Sequence, residues 1–177
     1  ASQAFDAGAT VATHLFNGMP PLHHRKPGVV GAALNHSSAV VELINDGIHL
    51  HPAVVAGVFA QVGSSRVALV TDAMSAAGAG DGEYELGGRR VRVEDGVARI
   101  AATGSIAGST LTMDAAVRNA VAAGVSIVDA SRSASATPAR AVGIVDVGQI
   151  AAGQRADLVV LDEELQVRAV ARGGRWE

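Results

Sequence analysis

The sequence predicts an α/β fold in which parallel strands alternate with helices. Of its 177 residues 49% are apolar but only 3% are aromatic, so the core has to be built from alanine, valine, leucine and isoleucine. Three apolar runs, TVATHL, AVVELINDGIH and RVALVTDA, each end in polar residues and lead into a loop or a helical pattern. This alternation is typical of a parallel sheet or barrel, in which functional side chains gather at the carboxyl ends of the strands.

The segments around these runs predict further helices. The opening residues ASQAFDAGA resemble the last turns of a helix that ends at Gly8, so we expect the chain to begin in the middle of a domain. Pro52 is suited to the first position of a helix that ends at Gly63. A longer helix is predicted over 109–124, with Ser109 or Thr110 as its capping residue.

The pattern changes after the third apolar run. Short alternating segments at about 83–100 surround a Gly-Gly and an Asp-Gly pair, which predicts antiparallel hairpins inserted into the α/β series. A pair of helices, the second starting near Pro138, and a tail of short strands complete the chain.

Composition excludes several classes of function. The chain has no cysteine, which excludes disulfides, thiolate metal sites and thiol nucleophiles, so any metal must be bound by histidine or carboxylate. A formal net charge of −3 and a pI near 6.1 argue against nucleic acid as a partner. No apolar stretch is long enough to span a membrane. We therefore expect a cytoplasmic protein.

Polar residues at the ends of the three apolar runs are the first candidates for a site. A single histidine after a strand is more often a structural residue than a ligand, and that interpretation stays open for His14 alone. If the sheet is parallel, however, His14, His49 and Asp72 converge on one edge. Neutral imidazole and a carboxylate suit metal-assisted hydrolysis, in which the ion lowers the pKa of bound water and the carboxylate transfers its proton.

Two loops have both a structural and a functional interpretation. HHRKPG at 23–28 is either a solvated cationic loop or a site at which Arg25 binds a phosphate. TGSIAGS at 103–109 is either a structural turn or a loop that holds an anion or a sugar hydroxyl at a helix N-terminus.

Taken together and in order, several motifs resemble one family. They are ATHLFNGM, HHRKPG, DGIHLHP, LVTDAMSAAG, GSIAGSTLTMDAAVRNAV and ATPARAVGI followed by GQIAAGQRADLVVLD. The family is that of the N-acetylglucosamine-6-phosphate deacetylases, within the metal-dependent amidohydrolase superfamily. The first, third and fourth motifs are specific to it, whereas the final one occurs in many amidohydrolases.

The resemblance implies a role for each matching position. His14 corresponds to a metal ligand and Asp72 to the general acid/base, which deprotonates the attacking water and then protonates the departing amine. The substrate-binding positions are Asn17, Gly18, Arg25, His49, Ile106, Ala107 and Gly108. Gly18 stands where many members have alanine. The implied products are glucosamine 6-phosphate and acetate.

The resemblance also implies a fold and partners. Residues 1–145 correspond to the C-terminal part of a (β/α)8 TIM-like metal-dependent hydrolase barrel, and 146–177 to strands of a small β-sandwich domain. The remaining metal ligands belong to an N-terminal half outside this chain. The expected ion is zinc, with iron, cobalt or manganese as alternatives. The expected partners are an amino-sugar phosphate and a second subunit, in a homodimer of the full-length enzyme.

Two alternatives remain at this point. The chain by itself is expected to be inactive and to serve as a non-catalytic folding or assembly unit. The other alternative is a different amidohydrolase, such as one resembling dihydroorotase or adenine deaminase. The arginine of HHRKPG and the segment SIAGSTLTM favour the amino sugar over these.

Overall fold

A parallel sheet of three strands lies at the centre of the larger core. The computed structural model describes residues 1–177, and its strands β1 (Val11–Ala12), β2 (Val40–Ile44) and β3 (Val67–Val70) pair in that order. Val41 pairs with Val67 and Ile44 with Val70, so the carboxyl ends of the strands meet at one edge. The α/β prediction is confirmed. Each strand is shorter than its apolar run, because the polar residues at the run ends lie in loops.

Helices cover this sheet and bury its apolar side chains. The first three are α1 (Ser2–Asp6), α2 (Gly28–Asn35) and α3 (Pro52–Val62), and α3 begins at Pro52 and is capped by Gly63 as predicted. Three more follow later in the chain, namely α4 (Met113–Ala122), α5 (Ile127–Ala134) and α6 (Ala136–Ala141). None of the six is both long and apolar enough to cross a membrane.

The antiparallel insertion lies between β3 and α4. It consists of β4 (Gly82–Leu86), β5 (Arg89–Glu94) and β6 (Val97–Ile100), which turn at the Gly-Gly and Asp-Gly pairs. Val91 and Val93 of β5 form a second, small core with the loop after β3 and with Ala107. The insertion therefore packs against the two segments that lie beside Asp72, which are the loop after β3 and the TGSIAGS loop that contains Ala107.

The predicted start of the fourth helix is wrong. Neither Ser109 nor Thr110 caps it; the helix begins at Met113 with Thr112 in the capping position. Ser109 is engaged elsewhere, because its N–H donates to the carbonyl of Asp72 and its carbonyl accepts from the N–H of Met74. These bonds form an isolated parallel bridge between Ser109 and Ala73, three residues after the end of β3.

The tail forms a third sheet, with β7 (Leu158–Leu161), β8 (Val167–Arg172) and β9 (Arg175–Trp176) in antiparallel order. Val159 and Trp176 are each more than half exposed, as are Val145 and Ile150 of the preceding segment. The apolar side chains of this region are thus mostly uncovered in the chain.

Arg66, directly before β3, ties three elements together. Its guanidinium donates to the carbonyls of Ala33, Leu34 and Ala39, at 2.7, 3.3 and 2.8 Å. The first two are in the last turn of α2, where carbonyls have no partner within the helix.

We expect Arg66→Met to lower the free energy of unfolding by about 2–3 kcal/mol, because it leaves these half-buried carbonyls unpaired. Urea denaturation followed by circular dichroism measures the change. Arg92→Met is the matched control, since Arg92 is exposed and pairs only with Glu83 and Glu94 on the hairpin surface. Equal losses in the two variants would contradict the role of Arg66.

Candidate functional site

The carboxyl edge of the parallel sheet carries the three predicted strand-end groups. His14 follows β1 by two residues, Asp72 follows β3 by two, and His49 lies on the loop after β2. The N–H of Leu15 donates to the carbonyl of Glu42 at 2.8 Å, so the His14 turn stays attached to β2. The register of the strands therefore directs all three groups to the same edge.

His14 lies in a strained turn and is half-buried. Its φ is +33°, a region that non-glycine residues rarely adopt. Glu42 holds the turn, because its Oε2 accepts from the Thr13 hydroxyl at 2.7 Å and from the His14 N–H at 3.4 Å. The imidazole Nδ1 is buried and has no hydrogen-bond partner in the chain.

That orphaned ring nitrogen is consistent with one ligand position of a divalent metal site. Nowhere in the structure do three histidine or carboxylate side chains lie close enough together to hold an ion. Structural and catalytic zinc sites use three or four protein ligands. The residues present therefore offer one candidate ligand, His14, and do not form a complete metal site.

His49 is held by Asp46, which lies three residues before it on the loop after β2. The His49 Nδ1 lies 2.7 Å from the Asp46 Oδ2, and both side chains are nearly buried. Burial acts to raise the pKa of Asp46, but hydrogen bonds from the His49 side chain and from backbone N–H groups outweigh it and hold that pKa below its usual value. The Asp-x-x-His spacing after a strand was the only sequence signal for this pair.

Asp72 has an exposed side chain and a left-handed backbone, with φ of +49°. Its carbonyl accepts from the N–H of Ser109 at 2.8 Å, and the Ser109 hydroxyl donates to the carbonyl of Thr71. Gly108 has φ of +63°, and a Cβ built on it would lie 3.1 Å from the Asp72 carbonyl oxygen. The TGSIAGS loop and the strand end that carries Asp72 are thus in direct contact.

The other two residues predicted in that loop are placed differently. Ile106 is about one-third exposed and forms an isolated bridge with Arg99 of β6. The Ala107 side chain is buried in the small core of the insertion, and its N–H donates to the carbonyl of Ala98 at 3.1 Å. Both residues remain predictions as substrate contacts.

Asn17 and Gly18 lie beside His14. The Asn17 N–H donates to the His14 carbonyl at 2.9 Å, and a Cβ on Gly18 would lie 3.9 Å from the imidazole Cε1. Arg25 is exposed on its loop, and its backbone N–H donates to the His23 Nδ1. No hydrogen bond joins Arg25 to the other predicted residues.

A cavity of about 440 Å³ lies away from this edge. It is bordered by the segment before β3 and by the start of α5, including Ser64 and Asp129. None of the predicted site residues lines it.

Comparison with known proteins places the whole chain in one group. The model of the amidohydrolase family matches residues 1–176. An N-acetylgalactosamine-6-phosphate deacetylase of Escherichia coli O157:H7 is 48% identical over 169 residues, which make up 94% of this chain and 44% of that protein. A relative from E. coli K12 is 47% identical over 159 residues, covering 89% of this chain and 94% of its own length.

Solved structures agree with the sequence matches. A mutant N-acetyl-D-glucosamine-6-phosphate deacetylase of Mycobacterium smegmatis, in complex with N-acetyl-D-glucosamine-6-phosphate, superposes with a TM-score of 0.95 at 48% identity. The superposition covers 99% of this chain and 47% of that protein. The chain therefore spans about half the length of this structure and of the O157:H7 relative.

Proposed function

Since the chain belongs to the amidohydrolase family, we propose that it forms part of an enzyme that hydrolyses the acetamide of N-acetylglucosamine 6-phosphate. The products are glucosamine 6-phosphate and acetate. The observation that carries this proposal is the meeting of His14, His49 and Asp72 at one sheet edge. The likeness to the M. smegmatis enzyme, which was solved with that sugar phosphate, supports the choice of substrate.

Asp72 is the general acid/base of the proposed reaction. Its exposed carboxylate takes a proton from the attacking water as the water oxygen bonds to the acetamide carbon. The carboxylate then gives a proton to the nitrogen as the carbon–nitrogen bond breaks. His14 would hold a divalent ion, which when bound lowers the pKa of water and polarises a carbonyl.

The remaining candidates bind and orient the sugar phosphate. We assign this role to Asn17, Gly18 and His49 beside the reacting groups, and to Arg25 as a guanidinium suited to a phosphate. Ile106, Ala107 and Gly108 border the substrate next to Asp72. Zinc is the proposed ion, and iron, cobalt or manganese would suit the same ligand types.

The architecture of the complete site is part of the proposal. Residues 1–145 form the C-terminal part of a (β/α)8 barrel, and 146–177 contribute strands to a small β-sandwich. The other metal ligands come from chain outside these residues, in a cytoplasmic homodimer. The exposed Val159 and Trp176 support this, because a sheet with uncovered apolar side chains can pack against further strands.

N-acetylgalactosamine 6-phosphate is the second candidate substrate. The O157:H7 relative bears that name and shares 48% identity with this chain, the same figure as the M. smegmatis enzyme. The two sugars differ only in the orientation of one hydroxyl, so identity at this level does not separate them. Both sugar phosphates are therefore assayed as substrates.

A chimera tests the proposal. We join this chain to the part of the M. smegmatis enzyme that it does not cover, and assay release of acetate with zinc and each sugar phosphate. We expect turnover by the chimera, faster with the glucosamine derivative, and none by the 177-residue chain, which presents one ligand only. An absence of turnover in a folded, metal-loaded chimera would contradict the proposed function. Turnover by the 177-residue chain alone would contradict the proposal that other parts of the enzyme supply the remaining metal ligands.

A further inference from the structure

Asp46 and His49 form a nearly buried pair on the loop after β2. The Asp46 Oδ2 and the His49 Nδ1 are 2.7 Å apart, and the side chains are 13% and 7% exposed. Neither residue lies on the strand itself. The pair has a geometry close to that of the carboxylate and imidazole in hydrolytic triads, where the carboxylate sets the tautomer of the ring.

The two carboxylate oxygens of Asp46 have separate partners. Oδ1 accepts from the backbone N–H groups of Ile48 and His49, each at 2.8 Å, and so forms the turn. Oδ2 faces only the ring of His49. An ionised carboxylate can only accept hydrogen bonds, so the His49 Nδ1 must carry a hydrogen. Nε2 is then the one ring nitrogen left for another group.

The loop itself is anchored to α4, so the pair has a defined position. Asn45 is 2% exposed, and its side-chain amide donates to the carbonyl of Ala116 at 2.9 Å. In return the Asn119 side chain donates to the carbonyl of Asn45 at 2.8 Å. These two bonds fix the backbone directly before Asp46.

We propose that Asp46 is a positioning residue, which fixes the Nδ1–H tautomer of His49 so that Nε2 meets the amino-sugar phosphate. The choice of ligand rests on the proposed function, whereas the tautomer depends on the structure of this chain alone. Asp46 has no direct contact with the ligand in this role. Its effect passes through His49.

Asp46→Asn separates this role from the role of Asp46 in the turn. The amide oxygen can take the place of Oδ1 and keep both backbone hydrogen bonds. The amide NH2 then faces Nδ1 and donates to it, which forces the hydrogen of the neutral ring onto Nε2. The turn survives while the tautomer reverses.

Long-range proton–nitrogen NMR of the 177-residue chain reads the tautomer directly. At about pH 8.5 we expect Nδ1–H in the wild type and Nε2–H in Asp46→Asn. Asp81→Asn is the matched control, because Asp81 also accepts from two backbone N–H groups, of Asp95 and Gly96, but has no histidine partner. An Nε2–H tautomer in the wild type, or the same tautomer in both proteins, would overturn the proposal.

Kinetics of the chimera supply the second readout. We expect Asp46→Asn to raise KM for the sugar phosphate by about 10–100-fold with a smaller change in kcat, since a misdirected ring loses a polar contact to the ligand. In a His49→Ala background the same substitution should change KM by less than about twofold. Additive effects of the two substitutions would refute the role through His49. If the chimera lacks turnover, the NMR result still decides the tautomer. The proposed function and the proposed role of Asp46 can therefore fail independently of each other.

Discussion

Asp72→Asn in the chimera should lower kcat by about 10²–10⁴-fold, the usual contribution of a general acid or base. The amide cannot take a proton from the attacking water or return one to the departing amine. KM should change little, because the proposed substrate contacts belong to other residues. Initial rates of acetate release over a range of sugar phosphate concentrations separate kcat from KM.

The fold should tolerate this substitution. The Asp72 side chain is exposed, and asparagine is as compatible as aspartate with the left-handed backbone at φ of +49°. Asp95→Asn is a matched control, because Asp95 is also exposed and left-handed, with φ of +50°, but lies in the hairpin turn. A fall of less than about threefold in kcat for Asp72→Asn, or an equal fall for Asp95→Asn, would remove Asp72 from the proposed chemistry.

Gly108→Ala should damage both stability and turnover. A Cβ at this position would lie 3.1 Å from the Asp72 carbonyl oxygen and 3.2 Å from the Met74 Cβ, and the backbone has φ of +63°. Left-handed strain costs about 1–2 kcal/mol, and the crowded contact adds to it. Because the crowded atom belongs to Asp72 itself, we expect at least about a tenfold loss of kcat/KM, in line with the sensitivity of catalysis to small displacements.

Gly104→Ala separates the strain from the contact. Gly104 lies in the same loop with φ of +72°, but a Cβ there would meet no atom within 4 Å. It should therefore lose stability from backbone strain alone and keep turnover within about twofold. Thermal unfolding and kcat/KM of the two variants give the comparison. Equal losses of kcat/KM would mean that the approach of Gly108 to Asp72 has no role at the site.

Much of the fold could be predicted because the signals are local. Apolar runs, Pro52 and Gly63 at the ends of a helix, and the glycine pairs of the hairpins each act within a few residues. The prediction that Ser109 or Thr110 caps α4 was wrong for the opposite reason. Ser109 instead pairs with Asp72 and Met74, a contact across more than thirty residues that no local pattern reveals.

At the candidate site, too, some residues could be predicted from local patterns and others could not. His14, His49 and Asp72 could be found because each follows an apolar run, and the family motifs name the same positions. The residues that hold these side chains in place could not be predicted from the sequence. Glu42 is separated from Thr13 by 29 positions, and only the parallel register of β1 and β2 brings its carboxylate to the His14 turn.

By itself, then, the sequence determined the α/β alternation, the antiparallel insertion and the family, and it supplied the candidate site residues. Only the tertiary structure decided how those side chains are held, through Glu42 at the His14 turn, Asp46 on the His49 ring and Gly108 against Asp72. The physical reason is the separation along the chain over which each kind of interaction acts. Turns and helix ends depend on the conformational preferences of neighbouring residues, whereas hydrogen bonds and close approaches between loops exist only after the strands have paired and brought their ends together.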